Sequence, residues 1–176
     1  FIVAALILGL AAEQQGDLFG LLAFSDRVES FIPARNGKQH YGACRDALYT
    51  LQPRILSPDF EELMSFIRLR LRRRALVVFL TSLDDAVLAE QFTQSVELIA
   101  RRHVVLVNML QLDGVKPLFS DPALSSVDQL YERLAGHLRW GNLRELKKVL
   151  QRRGVQFSTL ANESLSADLI SQYLNV

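Results

Sequence analysis

One cysteine, Cys44, in 176 residues leaves no material for an internal disulfide or for a zinc site built on several thiolates. A single thiol fits a reducing compartment. Excess charge is also missing. Twenty Lys and Arg stand against nineteen Asp and Glu, a formal net of +1, so no global field draws the chain to nucleic acid or to an anionic membrane. No apolar run approaches the roughly twenty residues that span a bilayer; the opening run from Phe1 stops at Glu13. No basic stretch precedes that run, which argues against a signal peptide. G-x-G-x-x-G after a strand, a Walker loop and a G-x-S-x-G elbow are all lacking, which removes the common nucleotide-binding and serine-hydrolase chemistries. There is no internal repeat, low-complexity segment or domain linker.

What is present reads as one globular domain over residues 1–176, with 49% hydrophobic and 22% charged residues. Residues 1–15 form an apolar helix stopped by Gly16. Two strands follow, Asp17 to Ser25 and Val28 to Ala34, close enough for an antiparallel hairpin, with Pro33 marking an edge. Gly37 to Leu51 is helical. Ser57-Pro58 opens the next helix, with Phe60, Leu63, Met64, Ile67 and Leu71 at 3.6-residue spacing. A helix over about 86–101 separates the strands 75–81 and 104–110, which makes a right-handed crossover and a parallel pair the expectation. A long loop ends at Ser126, whose spacing to Gln129 starts a helix to about Trp140. Asn142 and Glu145 repeat that spacing, and predict a second helix ending at Gly154. A strand over 155–160 and a helix over 164–174 close the chain.

The most informative stretch is Ala75-Leu-Val-Val-Phe-Leu-Thr-Ser-Leu-Asp-Asp85. An unbroken apolar run of this kind is a strand buried on both faces. In open α/β sheets ligands sit beyond the carboxyl ends of such strands. Thr81, Ser82, Asp84 and Asp85 are oxygen donors at that end, and suit a hard cation such as Mg2+, with Mn2+ as substitute. The competing role is a helix cap, because Ser82 and Asp85 have capping spacing before Ala86.

Other signals have plainer readings. The run Arg68, Arg70, Arg72, Arg73, Arg74 complements a helix C-terminus and sits in water. With no interleaved aromatics, it gives no nucleic-acid interface. Arg144, Lys147, Lys148, Arg152 and Arg153 line an amphipathic helix whose Leu143, Leu146 and Leu150 face the core. His40 and Cys44 share a helix face, yet lack a third orienting group for nucleophilic catalysis. His103 and His137 have no metal-ligand spacing.

The order of elements resembles a von Willebrand factor A domain, and is closest to a bacterial branch, domain-of-unknown-function family 58. Gly16-Asp17-Leu-Phe-Gly-Leu-Leu-Ala-Phe24-Ser-Asp26, the segment from Arg70 to Thr81, and the ending Tyr173-Leu174 carry the resemblance. It implies an α/β fold: a three-layer, doubly wound, mostly parallel sheet with one antiparallel edge strand. A metal-ion-dependent adhesion site would lie at the carboxyl edge. The family's first strand, with its Asp-x-Ser-x-Ser motif, is expected before Phe1, so the chain reads as a fragment whose unpaired strand edges reduce solubility. The resemblance places Ser57, Thr81, Ser82 and Asp84 as metal ligands, with Ser82 standing where the family commonly has Asp. It further implies a non-enzymatic adaptor or chaperone-like partner of a MoxR-type AAA+ ATPase, or of another protein with an acidic ligand residue. That protein would be cytoplasmic, with membrane tethering only through an upstream segment. The alternatives are a magnesium-dependent hydrolase or phosphotransferase using Asp84 and Asp85, and a metal-free scaffold.

Overall fold

A computed structural model describes residues 1–52, 56–118, 120 and 126–176. The chain forms two compact units, one of Phe1–Arg70 with Ala161–Val176 and one of Leu71–Leu160.

The first unit begins with α1 (Ile2–Gln15) and the hairpin β1 (Phe19–Phe24) and β2 (Val28–Arg35), followed by α2 (Lys38–Tyr49) and α3 (Phe60–Arg70). Gly16 ends α1 in the left-handed conformation at φ 77, as its position past the last turn predicts. The hairpin is antiparallel, with Leu22 opposite Phe31. A bulge lies at Gly20, where a Cβ would stand 2.9 Å from both Ala34 N and Ile32 O. Phe24 packs on Phe60, and Phe31 meets Phe66 edge-on with ring centroids 5.2 Å apart. Thus alternate residues of the hairpin seat the apolar stripe of α3, whose Phe60, Leu63, Met64 and Ile67 are all buried.

The start of α3 departs from the sequence expectation. Asp59, not Ser57, caps it: the Asp59 carboxylate accepts from the Glu62 N–H at 2.9 Å, and Ser57 and Pro58 precede the helix. A carboxylate at this position also complements the helix dipole, which a serine does less well. The last helix of this unit, α6 (Leu165–Leu174, the sixth in chain order), packs along α1. Its Tyr173 hydroxyl donates to the Asp17 carboxylate.

The second unit is a parallel sheet of β3 (Leu76–Leu80), β4 (Val104–Leu110) and β5 (Val155–Leu160), in that order, with α4 (Ala86–Ala100) and α5 (Val127–Arg152) as crossovers. The parallel sheet and the antiparallel pair are therefore both present, hydrogen-bonded as separate sheets, in a doubly wound α/β fold. Central β4 is buried through Val105–Met109, the signature of a strand covered on both faces. Phe79 meets Phe92 of α4 edge-on at 5.4 Å.

One helix replaces two. The sequence predicts a break near Gly141-Asn142, but α5 runs unbroken through both. A glycine in a helix interior costs only about 1 kcal/mol, and the buried Gly136, Leu146 and Leu150 on either side of it lock the same helix down. Asn142 is an exposed interior residue, and its capping spacing goes unused. Gly136 is required by proximity: a Cβ there would lie 2.0 Å from Gly114 O. At the far end Arg153 ties α5 to α4, donating from Nη1 to Thr93 O at 2.6 Å and to Glu97 at 3.2 Å.

Candidate functional site

The parallel ladder continues one residue past β3, where the Thr81 N–H donates to Asn108 O at 3.2 Å. Beyond it the strand's two-residue alternation persists. Thr81 and Leu83 are buried, whereas Ser82 and Asp84 are exposed. The structure thus brings Ser82 and Asp84 together: the Ser82 hydroxyl donates to Asp84 Oδ1 at 2.5 Å. Leu83, only 1% exposed, anchors the segment between them.

Asp85 has the other role considered from the sequence. Its Oδ1 accepts from the backbone N–H groups of Val87 at 2.9 Å and Leu88 at 3.0 Å, capping α4. Ser82 takes no part in that cap. The carboxylates therefore divide, with Asp85 committed to the helix and Asp84 to the exposed pair. Ser57 lies in the first unit, exposed, ahead of α3.

A cation could take from the second unit the Asp84 carboxylate and the Ser82 hydroxyl; Thr81, expected as a further ligand, is buried on the other side of the segment, because strand alternation turns it away from the exposed pair. Among the described residues no group of three His, Cys, Asp or Glu side chains is placed to hold a metal ion. The donor chemistry fits Mg2+, which commonly accepts one or two carboxylates and keeps several waters. The positive end of the α4 dipole opposes a cation nearby by about 0.3–1 kcal/mol, which the Asp84 charge offsets.

Asn108 is the residue that sequence reasoning missed. It lies within a run otherwise apolar, pairs with Leu80 and Ser158 on the flanking strands, and is fully buried. Neither Oδ1 nor Nδ2 has a hydrogen-bond partner among the described residues. Such orphaned amides are uncommon and costly. The available signal was a single polar residue in Val104-Val-Leu-Val-Asn-Met-Leu110, one strand over from Leu80.

The histidines resolve into structural roles. His40 Nε2 donates to Phe19 O at 2.6 Å, so its proton is engaged with β1. Cys44 Sγ lies 3.7 Å from the same nitrogen and is buried, and burial pushes its thiol up. A base whose lone pair faces elsewhere cannot activate that thiol. His103 Nδ1 accepts from the Ala75 N–H at 3.3 Å, joining the starts of β3 and β4. The Arg68 to Arg74 run is exposed, as its solvated reading requires.

A parallel α/β sheet with an exposed hydroxyl–carboxylate pair at its carboxyl edge defines the class: an open-sheet protein that presents a polar site beyond its strand ends. Within that class the chain belongs to the family described as Protein of unknown function DUF58, which matches residues 1–113. That span covers α1 through β4 and includes Ser57, Thr81, Ser82, Asp84 and Asn108. No curated protein matches the chain.

Proposed function

We propose that this chain is a non-enzymatic protein-interaction domain of von Willebrand factor A type, binding an acidic partner residue through a divalent cation at the β3 edge. The observation that carries the reading is the exposed Ser82–Asp84 pair at the carboxyl end of β3, held out by buried Thr81 and Leu83. Asp84 supplies the anionic donor and Ser82 a neutral oxygen, with waters filling the remaining positions. Mg2+, or Mn2+ in its place, supplies a Lewis-acidic position that a partner carboxylate completes. The Ser82 hydroxyl would turn its proton from Asp84 to water or partner on metal binding, which keeps the carboxylate lone pairs for the ion.

The partner class is a MoxR-type AAA+ ATPase or another protein with an acidic ligand residue. The domain would act on it as adaptor or chaperone-like subunit, in the cytoplasm or tethered through a segment outside this sequence. No helix among the described residues is long and apolar enough to cross a membrane. The hydrolase reading needs two free carboxylates, and Asp85 is engaged by two backbone N–H groups. Co-purification with a MoxR-type ATPase, with Mg2+ and with chelator, tests the proposal. Retention that chelator and Asp84→Ala both abolish is expected; retention indifferent to both would overturn the metal-dependent reading.

A further inference from the structure

Each strand of the parallel sheet is led in by arginines: Arg72, Arg73 and Arg74 before β3, Arg101 and Arg102 before β4, Arg152 and Arg153 before β5. The runs lie far apart in sequence, but parallel pairing sets all three strand starts on one edge. Leu76 stands beside Val104, and Val105 beside Val155, so the three ends fall within about 10 Å at ordinary strand spacing. Arg153 is half-buried and the other six are exposed.

Helix capping accounts for little of this charge. α4 and α5 both end here, and their two dipoles are complemented by about one positive charge. The nearby carboxylates are already engaged, Glu97 by Arg101 and Arg153, and Glu145 by Lys148. Arg72, Arg73, Arg74, Arg102 and Arg152 have no hydrogen bond or ion pair among the described residues. Asp84, Asp85, Asp113 and Asp128 stand at the opposite, carboxyl end of the strands or in the first turn of α5. The formal net of +1 conceals this edge because charge is sorted between the two ends, not in excess.

The chemistry of the edge selects its occupant. The segments leading into the strands contain no aromatic residue on which a base could stack. Both helices arrive by their C-termini, so they offer no helix N–H groups to a fixed phosphate. Five guanidinium groups that nothing holds in place make no rigid template for the carboxylates of a protein. They match a surface whose anions move to meet them, which is a fluid bilayer. We propose that the amino edge of the sheet docks this unit on an anionic phospholipid surface, with the Ser82–Asp84 edge turned away from it. The attachment is peripheral and electrostatic, and does not depend on metal binding at β3.

Vesicle flotation reads it out, with EDTA throughout so that no cation bridges protein to lipid. The chain is expected to float with vesicles of equal parts phosphatidylserine and phosphatidylcholine, not with phosphatidylcholine alone, and to be released as salt is raised. Arg102→Gln should weaken partitioning about fivefold, and Arg72→Gln, Arg73→Gln and Arg74→Gln together about a hundredfold, as expected for cations beside such a surface. The same three changed to Lys should keep binding, because a fluid anionic surface reads charge and not the guanidinium fork. Arg139→Gln, an equal loss of charge on the exposed surface of α5 away from the edge, should leave partitioning unchanged. Equal binding to both vesicle types, loss of binding in the Lys variant, or equal weakening by Arg139→Gln and Arg102→Gln would overturn the docking. So would duplex DNA that displaces the chain from vesicles at equal phosphate, which would assign the edge to nucleic acid.

Discussion

Gly136→Ala and Gly141→Ala make the same change five residues apart on one helix, and the structure gives them opposite signs. A methyl group at 136 would sit 2.0 Å from Gly114 O and 3.1 Å from Gly114 C, whereas ordinary contact begins near 3.4 Å. The obstacle is backbone, in a turn where Gly114 itself holds φ 73, so no side-chain rotation relieves it. Either the turn or α5 must shift, and overpacking of this kind costs about 1–3 kcal/mol. Helix propensity returns about 1 kcal/mol at either position. At 141 nothing lies within 4 Å of the added carbon, so only the gain remains. Gly136→Ala should therefore lose up to about 2 kcal/mol and Gly141→Ala gain up to about 1 kcal/mol. Melting followed by far-UV circular dichroism resolves this, at roughly 2–4 °C per kcal/mol for a chain of this size. If Gly136→Ala melts no lower than Gly141→Ala, the close approach of α5 to the 113–114 turn is wrong. If Gly141→Ala is destabilised, so is the continuity of α5.

Three further outcomes are expected. Burial first, and Arg102 second, lower the His103 pKa from its ordinary 6.5, so the unfolded chain takes up that proton before the folded one. Its contribution to stability is complete above about pH 6.5 and falls as pH drops, by at most about 1.4 kcal/mol per unit, until the folded imidazole protonates too. Urea titrations from pH 7.5 to 5 should show that slope flattened in His103→Gln; an unchanged slope would remove His103 as its source. Asp85→Ala should cost about 1 kcal/mol through loss of the α4 cap, measured by the same urea midpoint, with no loss refuting the cap. Asn108→Val removes an orphaned amide and should stabilise by about 1–3 kcal/mol, whereas destabilisation would mean that the amide has a partner in solution.

Strands β3 and β4 were legible as nearly unbroken apolar runs; burial on both faces holds for Val105–Met109 of β4, whereas in β3 only Phe79 is buried and its neighbours are half-buried. Ala75 to Leu80 and Val104 to Leu110 announce themselves, and β4 and β5 match their expected bounds to the residue. Gly16 ends α1 as read, and Ser126 opens α5 with its hydroxyl on the Gln129 N–H at 3.2 Å. The first and last of the segments that carried the family resemblance meet in space, since Tyr173 bonds Asp17. Capping signals failed where several candidates crowd together. Ser57 and Asp59 both precede α3, and local spacing does not rank a hydroxyl against a carboxylate. Gly141-Asn142 looked like a break because a cap motif is local, while Leu146 and Leu150 hold the helix through tertiary packing. At the site, Ser82 and Asp84 were visible as types, but their separation from Thr81 and Asp85 depends on strand alternation surviving past β3. Asn108 was hidden for a different reason: adjacency across a sheet is set by register, which no single strand displays.

A calorimetric titration with Mg2+ and then Mn2+ addresses the β3 edge most directly. It would be run on this chain and on one carrying whatever residues its gene encodes before Phe1, each with an Asp84→Ala counterpart. The account predicts saturable binding that Asp84→Ala abolishes. Absence of binding in both parents, or binding that Asp84→Ala leaves intact, would contradict it.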